Sequence, residues 1–340
     1  MRRMIFLFLI SFSFCVSAKA SKQTEGFFQR NCEIMSFDQT FKKLFPGRFC
    51  LFLDDGRLVS ADREGLKMYD KNQLLLWKVP GHFHHQINFS TNKDHILALS
   101  YQKHSSLPET VVDHFLKIDL NGKVIAEQNA EFLFKEVAFD FPKWSVHDSY
   151  HKFGFRYERS HFNSIYEVPA NTRSAEGGFF AAGSIIVNSL RGGYFILDSS
   201  MKKILHHHIL LNSDDHSIHD VQMLPTGEVL LFNNRNTDDS KGLYSSIEIW
   251  EPKTRKMTYR FTAPEKQWFF SASAGAVQLI DDSVLLITHR LNGVFLVDRK
   301  TNKLLFSNPH FATGAHLADL YELQDIKKVD VEKFLKNWSL

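Results

Sequence analysis

The sequence predicts an all-β chain made by repeating one module of short strands and polar turns, and three observations carry the prediction. First, similar strand-forming runs recur along the chain, as in His95-Ile96-Leu97-Ala98-Leu99, Gly183-Ser184-Ile185-Ile186-Val187 and Gly227-Glu228-Val229-Leu230-Leu231. Second, a further strand follows and ends at an aspartate, as in Phe115–Asp119, Tyr194–Asp198 and Val294–Asp298. Third, three copies open with histidine, at His85, His161 and His219. A module of this kind recurring roughly every 40–60 residues is the mark of a β-propeller. A pair of β-sandwiches is the competing architecture, but sandwiches do not normally repeat one motif so often.

Five copies can be traced in order. The first runs from Phe49-Cys50-Leu51-Phe52 through the turn Asp54-Asp55-Gly56 to Arg57–Ser60, Leu66–Asp70 and Leu74–Lys78. The second covers 85–128, with Asn121-Gly122 as a hairpin turn. The third covers 161–209 with an insertion at Thr172–Gly178, the fourth 219–261 and the fifth 275–307. A sixth blade combines Ala318–Leu323 with residues 25–48, so that both chain ends close the ring and leave no exposed edge. The aromatic-rich stretch from Phe132 to Arg159 reads as a long loop over one face or as extra strands. Val329 to Trp338 has helical spacing and predicts a short C-terminal helix.

The first 20 residues stand apart from this pattern. Arg2 and Arg3 precede an apolar run from Met4 to Val16, and Ala18-Lys19-Ala20 has the form of a signal-peptidase site. The expectation is therefore a signal peptide over 1–20 and a single propeller domain over 21–340, exported to the periplasm or secreted, with no membrane insertion after cleavage. A lipid anchor at Cys15 is disfavoured by Phe14, which stands where a small residue is needed. The net charge of +3 and the absence of a basic stripe argue against a nucleic-acid partner. Cys32 and Cys50 form either a disulfide, worth about 3 kcal/mol for a loop of that size, or two buried thiols. The 32 phenylalanines suit strands packed face to face, where aromatic rings fill the space between blades.

In a propeller the first strand of each blade lines the axis, so equivalent positions converge. Gly227 lies eight residues after His219 and Gly56 eight after Arg48. This alignment places Arg48, His85, His161, His219 and Gly275 at one repeat position. Such a set is cationic or readily protonated and suits an oxyanion such as sulfate or phosphate, while imidazole can serve as nucleophile, acid or base near neutral pH.

These motifs resemble the bacterial aryl-sulfate sulfotransferases, a family of six-bladed propellers, over most of residues 82–308. His161-Phe162-Asn163-Ser164-Ile165 looks like the family's H-x-N-S-I. His219-Asp220, Leu224-Pro225-Thr226-Gly227 and Leu230-Leu231-Phe232-Asn233-Asn234 are similar to its H-D, L-P-N-G and L-F-D-N. Gly275-Ala276-Val277-Gln278-Leu279 resembles its G-S-x-Q segment. The resemblance implies transfer of a sulfuryl group from an aryl sulfate to a phenol, without a nucleotide donor, cofactor or metal. His219 matches the nucleophile, His161 and Asn163 the residues that bind sulfuryl oxygens, and His85 another histidine of the set. The family's arginine falls at Ser189-Leu190-Arg191, which makes Arg191 the matching residue; a one-residue slip would put Leu190 there instead. From the repeat alone, Arg48 could add positive charge. Gln86 and Asn233 depart from the family's usual Asp at both places.

Plainer roles stand beside these. A lone histidine at the head of a strand usually caps a turn, and Arg191 could be a solvated turn residue. His206-His207-His208 reads as a solvated corner of an outer strand, and Asp214-Asp215 and Asp281-Asp282 as turn residues. His82 and His84 could help hold a metal, but no acidic or thiol ligand stands at useful sequence spacing. Two competing functions are a non-catalytic propeller that binds an anionic ligand or a protein, and a different hydrolase or lyase built on the histidines. Donor, acceptor and oligomeric state are not encoded in any motif.

Overall fold

The computed structural model describes residues 27–30, 32–36, 42–45, 47–53, 55–137, 143–146, 148–190, 193–209, 217–238, 242–262, 271, 274–280, 283–289, 293–308 and 323–326. The expected signal peptide, the C-terminal helix, Asp214-Asp215, Asp281-Asp282 and Arg191 lie outside these residues.

Among the described residues six sheets make up the fold, and it is a β-propeller. Blade I holds Phe49–Phe52, Leu58–Asp62, Gly65–Tyr69 and Leu75–Pro80. Blade II holds His82–Phe89, His95–Lys103, Thr110–Asp119 and Val124–Asn129. Blade III holds Phe162–Glu167, Ile185–Ser189, Gly193–Leu197 and Ile204–His208, and blade IV holds Ile218–Met223, Val229–Asp238, Gly242–Glu251 and Lys256–Phe261. Blade V holds Ala276–Leu279, Val284–His289, Gly293–Asp298 and Lys303–Asn308. Every strand within these blades pairs antiparallel with the next. Blade VI is the closure predicted from both ends: the C-terminal strand Leu323–Ile326 pairs with Phe27–Arg30, which continues into Glu33–Ser36 and Lys42–Leu44. Its C-terminal strand lies at 323–326, just past the expected 318–323.

The middle strands explain why the hydrophobic runs are nearly continuous. Side chains alternate across a strand, and both faces of a blade are covered by neighbouring blades. In His95–Lys103, Ile96 and Ala98 pack with Val59 and Met68 of blade I, while Leu97 and Leu99 pack with Phe162 and Phe195 of blade III. In blade IV, Leu231 meets Ile186 and Tyr194 of blade III, whereas Leu230 and Phe232 meet Val277 and Phe295 of blade V. The phenylalanines work as expected: Phe115, Phe162 and Phe195 form a chain of ring contacts between blades II and III at 5.0 and 6.0 Å. The outer strand Lys256–Phe261 instead alternates exposed and half-buried positions up to the buried Phe261.

A disulfide joins Cys32 to Cys50. Cys32 sits in the turn after Phe27–Arg30 of blade VI and Cys50 in the first strand of blade I, so the bond staples the last blade to the first. Hydrogen bonding helps hold the junction, with the Phe45 amide donating to the Cys32 carbonyl at 2.8 Å. Replacing both cysteines with serine should lower unfolding free energy by about 3 kcal/mol, the value for a closed loop of this length. Denaturant titration of the oxidised protein against the double variant measures this; equal midpoints would show that the closure is stable without the bond.

Two readings of the sequence change. The stretch after Val124–Asn129 is neither only loop nor only strand. It forms a short helix, Glu131–Glu136, a 3-10 turn at Asp148–Phe153, and the strands Lys143–Ser145 and Tyr157–Arg159. Tyr157–Arg159 runs parallel to Thr110–Val112, at the end of blade II that also carries His82–His85. The triple-histidine strand is not a solvated corner: His206 lies against Phe179 at 4.6 Å, and His208 is buried edge-on to Trp250 at 5.1 Å.

Candidate functional site

Backbone hydrogen bonds fix which residues are equivalent from blade to blade. The first hairpin of each of blades I to V is marked by one amide-to-carbonyl bond: Leu53 to Arg57, Ser90 to His95, Val168 to Ser184, Leu224 to Glu228 and Ile280 to Val284. The residue five places before each donor is Arg48, His85, Asn163, His219 and Gly275. A second repeat gives the same answer. The next residue along accepts a hydrogen bond from the inner strand of the following blade: Gln86 from the Ile165 amide at 2.8 Å, Ser164 from Val221 at 3.2 Å, and Asp220 from Val277 at 2.9 Å.

The central set therefore differs from expectation in one member. Asn163, not His161, occupies the slot shared by Arg48, His85 and His219; His161 stands two places earlier. Gln86 is also explained. It stitches blade to blade as Asp220 does, and Tyr166 links the two by accepting from Gln86 and bonding Asp220. Asn233 donates to Glu248 Oε1 at 3.4 Å.

Local backbone distortions aim these side chains. The pairing register slips between Phe83 and Ile87, between Phe162 and Ser164, and between Ile218 and Asp220. Each slip is a bulge, which lifts a residue out of the ladder and re-aims it. His85 and His161 hold φ of 52° and 46°, and Ser160 holds 82°. That left-handed region costs a non-glycine residue roughly 1–2 kcal/mol, and such cost tends to be retained where function requires the geometry. Before Arg48 the task falls to Gly47, with φ of 125°, where a Cβ would lie 1.8 Å from Ser60 Oγ.

His85 and His161 meet edge to face, with ring centroids 4.8 Å apart. His84 lies behind His85, Nδ1 to Nδ1 at 2.5 Å. His161 Nδ1 contacts Glu158 Oε1 at 2.5 Å, and Tyr101 donates its hydroxyl proton to the other Glu158 oxygen. His84 stacks on Tyr101 at 3.8 Å and places Nε2 3.2 Å from Asp113 Oδ1, while Ser160 donates to Asp113 Oδ2 at 2.8 Å. Asp113, Glu158 and His84 are buried; His85 and His161 keep partial exposure.

His219 is oriented by a different group. Asn234 Nδ2 donates to the carbonyls of Ser271 at 2.9 Å and Ala274 at 2.7 Å. That fixes which end of the amide is oxygen, and the oxygen faces His219 Nδ1. An amide oxygen only accepts, so Nδ1 carries the proton and Nε2 of the neutral ring carries a lone pair. The neighbouring Asn163 amide donates to the Ile218 carbonyl at 3.0 Å and also bonds His161.

Charge is divided unequally among the imidazoles. Burial holds His85 well below its ordinary pKa, reinforced by His161, His84, His219 and Arg48 around it. His84 is lowered well below the usual value by burial and then by His161. Burial also opposes charge on His161, but the Glu158 carboxylate outweighs it and raises the pKa. Asp113 is pushed up to about 8 by burial and by Glu158. Near neutral pH the site thus presents one favoured imidazolium, His161, beside neutral His85 and the guanidinium of Arg48.

Arg191 lies outside the described residues. Leu190 is a backbone link, its amide donating to the His161 carbonyl and its carbonyl accepting from Ile218, both at 2.9 Å. Sequence reading missed Glu158, Asp113, Tyr101 and Asn234. Among the described residues no cluster has the makings of a metal site, although one carboxylate, that of Asp113, does come within 3.2 Å of His84 in space. His82 itself turns away, onto the Arg63 carbonyl and the Phe153 ring.

No family model and no curated protein matches this chain. Among solved structures, a protein of unknown function from Bacteroides caccae is similar at 12% identity and a TM-score of 0.53, over 85% of this chain and 94% of that one. The Dos1 propeller aligns at 12% identity and a TM-score of 0.44, over 83% of this chain and 67% of that one. At this identity the Bacteroides likeness shows a shared fold and nothing about chemistry.

Proposed function

We propose that this chain is an exported aryl-sulfate sulfotransferase-like enzyme, moving a sulfuryl group from an aryl sulfate to a phenol through a sulfohistidine at His219. The observation that carries the reading is the fixed Nε2 lone pair of His219, near His85, whose surroundings also hold the favoured imidazolium of His161 and the guanidinium of Arg48. In the first half-reaction Nε2 bonds to sulfur as the bond from sulfur to the aryl oxygen breaks, and the phenolate leaves with its electron pair. His161, Asn163 and Arg48 stabilise charge on the sulfuryl oxygens. His85 gives the phenolate a proton. In the second half-reaction an acceptor phenol loses its proton to the site and attacks sulfur, breaking the N–S bond and restoring His219. The blade-closing disulfide fits an oxidising compartment, periplasmic or extracellular.

The test uses the purified mature chain with 4-nitrophenyl sulfate, with and without phenol. Phenol-dependent nitrophenol release, with a sulfuryl adduct on the His219 peptide when phenol is absent, supports the enzyme. Saturable sulfate binding without release, across a range of acceptors, supports a binding propeller instead.

A further inference from the structure

We propose that Arg63 forms, beside Arg48, a second anion-binding subsite, and that the preferred substrates are aryl sulfates whose ring carries a further negative group such as a carboxylate. The proposal rests on the sulfuryl-transfer reading and deepens it by naming the substrate class.

Backbone pairing puts both arginines at one end of blade I. Phe49 pairs with Ala61, and the Arg48 amide donates to the Ala61 carbonyl at 3.1 Å. Arg63 follows two residues later, in the turn before Gly65–Tyr69. His82 Nδ1 donates to the Arg63 carbonyl at 3.0 Å, which ties this turn to the strand that bears His85. The Arg63 side chain lies over Tyr150, with Cζ 5.3 Å from the ring centroid. Tyr150 leads toward the histidines: its hydroxyl donates to the Phe83 carbonyl at 3.1 Å, and its ring meets Tyr101 at 5.1 Å. The Arg48 charge acts on the same hydroxyl and also on His85. Tyr150 is thus shared by two guanidinium groups, one of them already part of the histidine site.

The charge of Arg63 is not cancelled locally. Its acidic neighbours in sequence are engaged elsewhere, Asp62 with Lys67 at 2.5 Å and Glu64 with Lys152 at 3.1 Å. Among the described residues no carboxylate pairs with Arg63, and its Nε is buried without a hydrogen-bond partner. Burial pushes the Tyr150 phenol up to about 12, so Tyr150 stays neutral and offers Arg63 no anion. Charged donors taken out of water are normally paired, because leaving one unmet costs more than for a neutral group. A half-buried guanidinium short of an acceptor suits an anion from outside the chain, and its planar fork matches a carboxylate with two parallel bonds. Arg48 and His161 already serve the sulfuryl oxygens, so the group that Arg63 receives is a different one on the same ligand. An aromatic ring with two anionic substituents supplies it. Arg63 touches neither the sulfur nor the leaving oxygen, and its role is specificity.

Calorimetric titration near neutral pH tests this with two inert probes, benzenesulfonate and 4-sulfobenzoate, which differ by one carboxylate. Wild type should bind 4-sulfobenzoate about tenfold to a hundredfold more tightly, the scale of one charge-assisted bond to an arginine. In Arg63→Met that ratio should fall to about threefold or less, and Arg63→Lys, which keeps the charge without the fork, should lie between. A wild-type ratio of about threefold or less overturns the subsite whether or not any variant folds, and so does a ratio that survives in Arg63→Met. The subsite and the enzyme reading fail separately. Selectivity for the dianion in a protein that transfers no sulfuryl group keeps the subsite and removes the enzyme. Transfer from 4-nitrophenyl sulfate without that selectivity keeps the enzyme and removes the subsite. Failure of wild type to bind either sulfonate removes both.

Discussion

His219→Ala is expected to lower aryl-sulfate cleavage by at least about 10³-fold, the largest effect of any single change in the site. Alanine has no group that can bond to sulfur, while Arg48, His161 and Asn163 would still hold the anion. Sulfate affinity should therefore change little while turnover disappears. The residual problem is stability, because the cut leaves Asn234 Oδ1 without its buried partner, which costs about 1–3 kcal/mol. Added imidazole separates the two effects: it can fill the space and act as a nucleophile, so partial recovery of nitrophenol release marks a missing reagent rather than a damaged fold. Asn234→Leu gives a graded comparison. It keeps the nucleophile but frees the tautomer, and turnover should fall by about tenfold to a hundredfold with the same substrate affinity. Turnover in His219→Ala within tenfold of wild type would remove His219 from the chemistry.

The blade architecture was legible in the chain because both faces of each blade are buried. That makes runs such as Ile96-Leu97-Ala98-Leu99 apolar at every position, and the turns between them carry Asp, Asn and Gly. The closure by both ends was legible for a related reason, since a propeller with an open edge is unstable toward pairing. The site was legible only in part. Counting from turns placed Arg48, His85, His219 and Gly275 together. It failed in the third copy because its first hairpin is longer, closing from Val168 to Ser184 where the others close over four or five residues, so no turn stands at the distance the count uses. His161 reaches the centre all the same, from a position the repeat does not mark. Its partner Glu158 lies on Tyr157–Arg159, a strand whose parallel pairing with Thr110–Val112 no local pattern announces. Asp113 sits mid-strand and looks like any polar residue of an alternating run, although its side chain points inward to His84 and Ser160. Such contacts join residues 29 to 47 places apart, and they arise from topology rather than spacing.

Glu158→Gln should shift the pH range over which the site holds an anion to lower values. Glutamine preserves shape here: its oxygen can accept from Tyr101 and its amide can donate to His161 Nδ1. What it removes is the negative charge that outweighs burial at His161. Without that charge burial decides, and His161 should behave as His85 already does, with a lowered pKa. In wild type the imidazolium contributes to sulfate binding below its raised pKa, and the contribution fades as pH rises through that value. In the variant the fading starts at a lower pH, so affinity near pH 7.5 should drop by about tenfold, the equivalent of 1.4 kcal/mol, and recover on acidification. Stability follows the same sign. A histidine whose pKa is higher folded than unfolded adds stability that is complete below its unfolded value, near 6.5, and is lost as pH rises through the folded one. Glu158→Gln removes that contribution, so the stability gap between variant and wild type should widen toward acid pH. Calorimetric sulfate titrations and thermal unfolding from about pH 5.5 to 8.5 would measure both, with the window chosen to bracket the histidine range. Parallel curves for the two proteins would mean that Glu158 does not govern the charge on His161, and the anion would then have to be held by Arg48 and the backbone instead.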